Sequence, residues 1–195
     1  MCGRYELKAD PRRWLAPMGV RNGLGDWEDR QEVFPGTDVP VVREAAGGGL
    51  EVVWMRWGFV PHWQKGKPKI RPINAKSEDA HGKPFWRDAI THRRCLLPAT
   101  SFFEWAATPA GKVKHRLGFG QKPFLMAGVW DSWESEEGPQ DTVAILTCPA
   151  NEIVAPIHAR MPVIIRAKTA RAWFDHPDDA MTLPLFSASF RADPA

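Results

Sequence analysis

From position 94 onward the sequence is a succession of short apolar runs, and only a fold with an extended sheet can use them. The runs span residues 94–98, 101–106, 113–119, 124–133 and 142–147, and Thr108-Pro-Ala-Gly111 and Glu137-Gly-Pro139 supply turns between them. Upstream, runs at 39–43 and 50–57 flank Glu44-Ala-Ala-Gly-Gly-Gly49, the pattern of a hairpin with a flexible tip. A first strand is expected over residues 4–7 and a late one over 161–165. Helical signals are few and short. Asp10-Pro11 pairs a capping side chain with proline at the first helical position, opening a helix through Trp14 and Leu15. Pro84 opens another through Trp86 and Ile90 towards Arg93. Residues 168–175 carry a third helical pattern, and 151–155 suit a single helical turn. Residues 19–36 read as loop, 70–79 as polar and irregular, and the tail after Leu185 as weakly structured. The expected fold is therefore α+β, mainly an antiparallel, barrel-like β core with a few short helices. Strands do not alternate with long helices, which argues against a doubly wound parallel sheet. Gly47-Gly-Gly49 lacks the strand-to-helix setting and the following lysine of a phosphate loop.

A chain of 195 residues suits one domain with a substantial core. The cysteines, Cys2, Cys95 and Cys148, are odd in number and show no CxxC pairing, which argues against a disulfide framework or a zinc module. Cys95 and Cys148 fall in apolar runs and read as packing residues. There is no apolar run long enough to span a membrane and no secretory leader pattern, so a soluble cytoplasmic protein is expected. The net charge of +3 permits an anionic partner without requiring one. Ten tryptophans against a single tyrosine offer faces for stacking on bases, although most should serve the core.

The N-terminus carries the most distinctive chemistry. Cys2 directly follows Met1, and cysteine is small enough to allow methionine trimming. The trimmed chain would present an α-amine beside a thiol, with ordinary pKa values of about 8 and 8.5. That pair condenses with an aldehyde to an imine, which the thiol then closes to a thiazolidine. An interior cysteine cannot do this, because its nitrogen is an amide. Taken alone, a cysteine at position 2 is more often incidental.

Four further features invite chemistry. Glu104 is the only charge in Ser101-Phe-Phe-Glu-Trp105, where strand alternation places Phe102 and Glu104 on one face and Phe103 and Trp105 on the other. A carboxylate beside apolar rings suits a general acid or base, and a solvated glutamate on an edge strand fits the run equally well. His158 lies in the proline-bounded Pro156-Ile-His-Ala-Arg-Met-Pro162, which can join proton transfer to anion binding at Arg160, or simply use a structural histidine. Asn74 can orient a substrate hydroxyl or serve as a turn residue. Arg4, Arg71, Lys76 and Arg160 make either a phosphate-binding surface or scattered surface charge. His62, His81, His92, His115 and His176 have no comparable company.

Taken together, these segments resemble a known family. Met1-Cys-Gly-Arg-Tyr5, Trp57-Gly-Phe-Val-Pro-His-Trp63, Asn74-Ala-Lys-Ser-Glu78, Arg94-Cys-Leu-Leu-Pro-Ala99 with Phe103-Glu-Trp105, Ala144-Ile-Leu-Thr147 and His158-Ala-Arg-Met-Pro-Val163 follow the order seen in SRAP (SOS response-associated peptidase) proteins. The resemblance runs from Cys2 to about Asp175. It implies one domain over residues 1–195 and a positively charged channel for single-stranded DNA containing abasic sites. It places catalytic roles on Cys2, Asn74, Glu104 and His158 and DNA contacts on Arg4, Lys76, Trp105 and Arg160. It further implies a monomer that works without metal or organic cofactor, forming a covalent DNA–protein crosslink with residual strand-cleaving lyase activity. An N-terminal-cysteine peptidase or amidohydrolase, able to remove Met1 autoproteolytically, is the competing expectation. A single-strand binder without covalent chemistry is a third. Lys76 stands where the family commonly has arginine, which exchanges a bidentate phosphate contact for a point charge and implies weaker DNA binding. Residues 16–33 match no motif of the family.

Overall fold

The computed structural model describes residues 2–175 and 189–195. Its elements run β1 (Tyr5–Leu7), α1 (Pro11–Trp14), β2 (Val20–Asn22), β3 (Arg30–Val33), β4 (Asp38–Glu44) and β5 (Leu50–Trp57). There follow β6 (Asn74–Lys76), α2 (Ser77–Ala80), α3 (Pro84–His92), β7 (Arg94–Ala99), β8 (Ser101–Thr108) and β9 (Gly111–Gly118). The last are β10 (Phe124–Ser135), β11 (Gly138–Pro149), β12 (Arg160–Pro162), β13 (Ile164–Ile165), α4 (Ala170–Asp175) and β14 (Arg191–Pro194).

Strands β5, β4, β7, β10 and β11 pair in that order and close into a ring. The closure is a short parallel pairing of β11 with β5, Thr142 opposite Arg56 and Val143 opposite Trp57. Around the ring β2 extends β5, β13 joins β10, and β6 and β12 both pair with β11. A second sheet, in the order β14-β9-β8-β1-β3, packs against it. Successive side chains on the ring strands enter different cores, as the two-residue period of a strand requires. Leu96, Ala127, Ala144 and Leu146 pack with Trp86 and Ile90 of α3 and Trp173 and Phe174 of α4. Leu97, Met126, Val143 and Ile145 pack with Tyr5, Phe102 and Leu117 of the second sheet. Burial on both faces explains why these strands read as nearly continuous apolar runs. Gly128 of β10 shows how close the packing is: a Cβ there would lie 2.6 Å from Leu97 Cδ1 and 2.8 Å from the Ala144 carbonyl oxygen.

The barrel-like α+β expectation holds, including the hairpin β4–β5 and the proline-opened helices α1 and α3. Asp10 caps α1 by accepting from the Arg12 N–H at 3.0 Å. Four local readings are corrected. Residues 19–36 contain β2 and β3, each a short, largely polar strand whose partner lies far along the chain (Val20 opposite Leu50, Val33 opposite Tyr5). Residues 74–80 are ordered as β6 and α2 because β6 pairs parallel with β11. The single strand expected over 161–165 is split at Val163, whose backbone bridges Leu146 of β11 and Ala127 of β10. The expected weak tail lies partly outside the described residues, and where it is described, Arg191–Pro194 pair with β9 as an edge strand. Four tryptophans (57, 86, 133 and 173) are buried, and Trp63 is the one large exposed ring among them at 49%.

Candidate active site

The N-terminal segment enters β1 with Cys2 fully buried. Asn74 at the start of β6 donates from Nδ2 to the Cys2 carbonyl oxygen at 2.9 Å. This bond ties the N-terminus to the barrel across 72 positions of sequence. Asn74 Oδ1 is buried with no hydrogen-bond partner among the described residues, so one acceptor of the amide remains for another molecule. The Cys2 thiol lies 3.9 Å from the Arg4 carbonyl oxygen. Burial, reinforced by the Glu104 carboxylate, pushes its pKa well up, against smaller opposing effects of the Arg4 backbone and the N-terminal charge. The thiol is therefore held protonated.

Glu104 is 4% exposed. The edge-strand reading fails, because β8 lies between β1 and β9 in the interior of its sheet. The alternation holds as read. Phe102 faces the core opposite Leu117, and Glu104 follows on that face opposite His115. The other face carries Phe103, under Lys114 Nζ at 4.1 Å, and Trp105, under the Arg4 guanidinium at 5.1 Å. Arg4 also lies 4.5 Å from the Phe34 ring centre and 3.2 Å from Glu32. The predicted DNA contacts Arg4 and Trp105 thus meet each other, on the sheet face opposite Glu104.

Strand β11 organises the remaining residues. Asn74 and Lys76 of β6 pair with Ile145 and Thr147 on one side of it, while Pro149 pairs with Arg160 of β12 on the other. His158 precedes β12, and its Nδ1 lies 3.0 Å from both the backbone N and the carbonyl oxygen of Arg160. The Arg160 guanidinium reaches over Thr147 to the Thr147 carbonyl oxygen at 2.6 Å and grips both carboxylate oxygens of Glu78. Hydrogen bonding from Arg160 holds the Glu78 carboxyl down at about 2. Lys76 makes no ion pair among the described residues.

The fold thus brings Asn74 and Glu104 to Cys2, sets Lys76 and Arg160 alongside β11, and leaves Arg4 and Trp105 together on the other sheet face; the acidic partners Glu32 and Glu78 were missed. Glu78 lies inside a quoted motif between Lys76 and Asp79, where nothing in the local pattern marks Arg160 as its partner. Glu32 and Phe34 sit in or beside the stretch that no motif covers, and nothing local marks them. His62 does have company: its backbone N and Nδ1 each lie 2.9 Å from Asp131 Oδ2. Although His62, Asp88 and Asp131 cluster closely enough to suggest metal ligands, Arg93 is bonded to both carboxylates and supplies the positive charge there. His176 lies outside the described residues. A surface hollow of about 770 Å³ borders Ile73 beside Asn74 but is lined by none of the eight predicted site residues.

A family model described as SOS response associated peptidase (SRAP) matches residues 1–192. Abasic site processing protein YoqW of Bacillus subtilis (strain 168) is 30% identical over 182 residues, which cover 90% of this chain and 80% of that protein. Abasic site processing protein YedK of Escherichia coli (strain K12) is 28% identical, over 89% of this chain and 79% of its own. In fold, the chain is similar to a crystal structure from Bacteroides thetaiotaomicron, with TM-score 0.87, 23% identity and coverage of 99% of this chain and 91% of that one.

Proposed function

The chain belongs to the SRAP family, and from that premise and the geometry around Cys2 we propose that it processes abasic sites in single-stranded DNA by covalent capture on its N-terminal cysteine. The relatives' names give the lesion class. The observation that carries the reading is the joint placement of Cys2: its carbonyl is held by Asn74, and its thiol feels the buried Glu104 carboxylate.

The reaction needs Met1 removed, which frees the Cys2 α-amine. As the abasic hemiacetal opens, the C1′ hydroxyl loses its proton and the sugar ring oxygen gains one, a net transfer that His158 assists, and the Asn74 amide holds the opened sugar. Glu104 takes a proton from the Cys2 ammonium, the amine attacks the C1′ aldehyde, and Glu104 returns the proton as water leaves. The thiol sulfur then bonds to the imine carbon while its proton goes to nitrogen, closing the thiazolidine. A thiol kept protonated by burial suits this order, with amine first and sulfur second. Arg4, Lys76, Trp105 and Arg160 hold the strand by phosphate and stacking contacts. The imine is also the branch point for β-elimination, so slow strand cleavage accompanies capture until ring closure removes it.

A peptidase using Cys2 as nucleophile needs a thiolate, and burial beside a carboxylate opposes one. The test is incubation with single-stranded DNA carrying an enzymatically generated abasic site. A heat-stable, slowly migrating species is expected. Absence of any covalent adduct would overturn the reading.

A further inference from the structure

The Arg160–Glu78 pair has a geometry that bears directly on strand binding. Glu78 meets Arg160 with both carboxylate oxygens, the fork-to-fork arrangement that a phosphodiester would also adopt. Arg160 Nη2 adds the Thr147 carbonyl and hydroxyl oxygens at 2.6 and 3.3 Å, so the guanidinium is fixed from beneath by β11. Glu78 is the solvent side of the pair: its side chain is 45% exposed and that of Arg160 is 15% exposed. Lys76 stands two positions before Glu78 and pairs in the sheet with the same Thr147. Of the two cations that flank Thr147, only the more deeply placed, Arg160, carries an internal anion among the described residues.

We propose that Glu78 is an internal competitor for the DNA backbone, occupying on Arg160 the seat of a phosphate and thereby setting how tightly single-stranded DNA is held. This rests on the strand-binding role proposed for Arg160. A phosphodiester reaching Arg160 must displace the Glu78 carboxylate, which is then left ionised beside the strand. Each binding event thus carries the cost of opening a partly exposed ion pair and of one repulsive charge. Lys76, with no such partner among the described residues, makes the first contact, and Arg160 engages only where the strand is held long enough to exchange with Glu78. The device lowers affinity for any passing single strand without altering the chemistry at Cys2.

The test measures affinity for an undamaged oligodeoxythymidine by fluorescence anisotropy between 50 and 200 mM salt. It compares the parent protein, Glu78→Gln, Arg160→Ala and the double variant, with circular dichroism to confirm folding. Glutamine keeps the size of Glu78 and one acceptor for Arg160, so the pair's packing is preserved. Glu78→Gln is expected to bind about fivefold more tightly at low salt. Its log–log salt slope should be steeper by about 0.7, the value of one more neutralised phosphate on a single strand. In the Arg160→Ala background the gain should largely disappear. An equal gain in both backgrounds would show only a general charge effect, and binding no tighter than the parent would make Glu78 a mere support for Arg160; either overturns the proposal. If Arg160→Ala alone leaves affinity and slope unchanged, the strand-binding role of Arg160 itself fails, a result separable from failure of the competition.

Discussion

Replacing Asn74 with alanine removes the hydrogen bond that joins Cys2 to β6. The donor is lost at 2.9 Å from the carbonyl oxygen of a residue with no exposed surface. A buried carbonyl left without its donor costs about 1–3 kcal/mol, which is the expected loss in stability. For a chain of this size each kcal/mol lowers Tm by about 2–4 °C, giving a fall of about 2–12 °C. The larger effect should be kinetic, because Cys2 is then free to shift relative to Glu104, and a misplacement of about 1 Å can cost about 100-fold in rate. The assay is the rate of heat-stable adduct formation at a temperature where both proteins are folded, alongside anisotropy on undamaged DNA. Binding should change by less than about twofold, since no phosphate contact is removed. Asn74→Asp keeps the volume but sets an acceptor against an acceptor, and should be slower still. A variant that melts lower yet reacts within about threefold of the parent would refute the positioning argument and leave Asn74 as a structural residue alone.

Glu104→Gln should slow adduct formation by about 10²–10⁴-fold with near-normal DNA affinity, because an amide cannot accept the ammonium proton; a parental rate near neutral pH would remove Glu104 as the base. Cys2→Ser should still yield an imine trapped by borohydride but no stable thiazolidine, whereas uncleavable residues ahead of Cys2 should abolish both; stable crosslinking by the extended protein would sink the aminothiol mechanism. Lys76→Ala should flatten the salt slope of single-strand binding by about 0.7, and Lys76→Arg should bind at least as tightly as the parent; an unchanged slope would mean that Lys76 does not meet the backbone. The Glu78 carboxyl is held at about 2, below its ordinary 4.5, so its stabilising contribution is complete above about pH 4.5 and fades as the pH falls towards 2. Melting curves of Glu78→Gln between pH 5 and 2 should accordingly show a shallower acid decline than the parent, by an amount limited by the exposure of the pair.

Much of the fold is written in local pattern. The apolar runs from 94 to 147 became β7, β8, β9, β10 and β11, and Asp10 and Pro84 open the helices they mark, because capping and two-residue periodicity act over a few neighbouring residues. Cys2, Glu104 and Asn74 stand out for the same reason: each is an unusual residue type for its immediate surroundings. Other features depended on partners that no local pattern names. Strands β2, β3 and β6 are too short and polar to announce themselves, and they exist because Leu50, Tyr5 and Ile145 offer them a free edge from far along the chain. Glu104 could have been solvated or buried until β1 and β9 covered both edges of β8. Arg160 looked like a free cation until the pairing of β6 and β12 with β11 brought Glu78 onto it from 82 positions away. Residue type and spacing determine which groups can do chemistry. Only the long-range pairing of strands decides which of them meet, since a backbone edge accepts any register-matched partner and side-chain electrostatics act only once that partner has arrived.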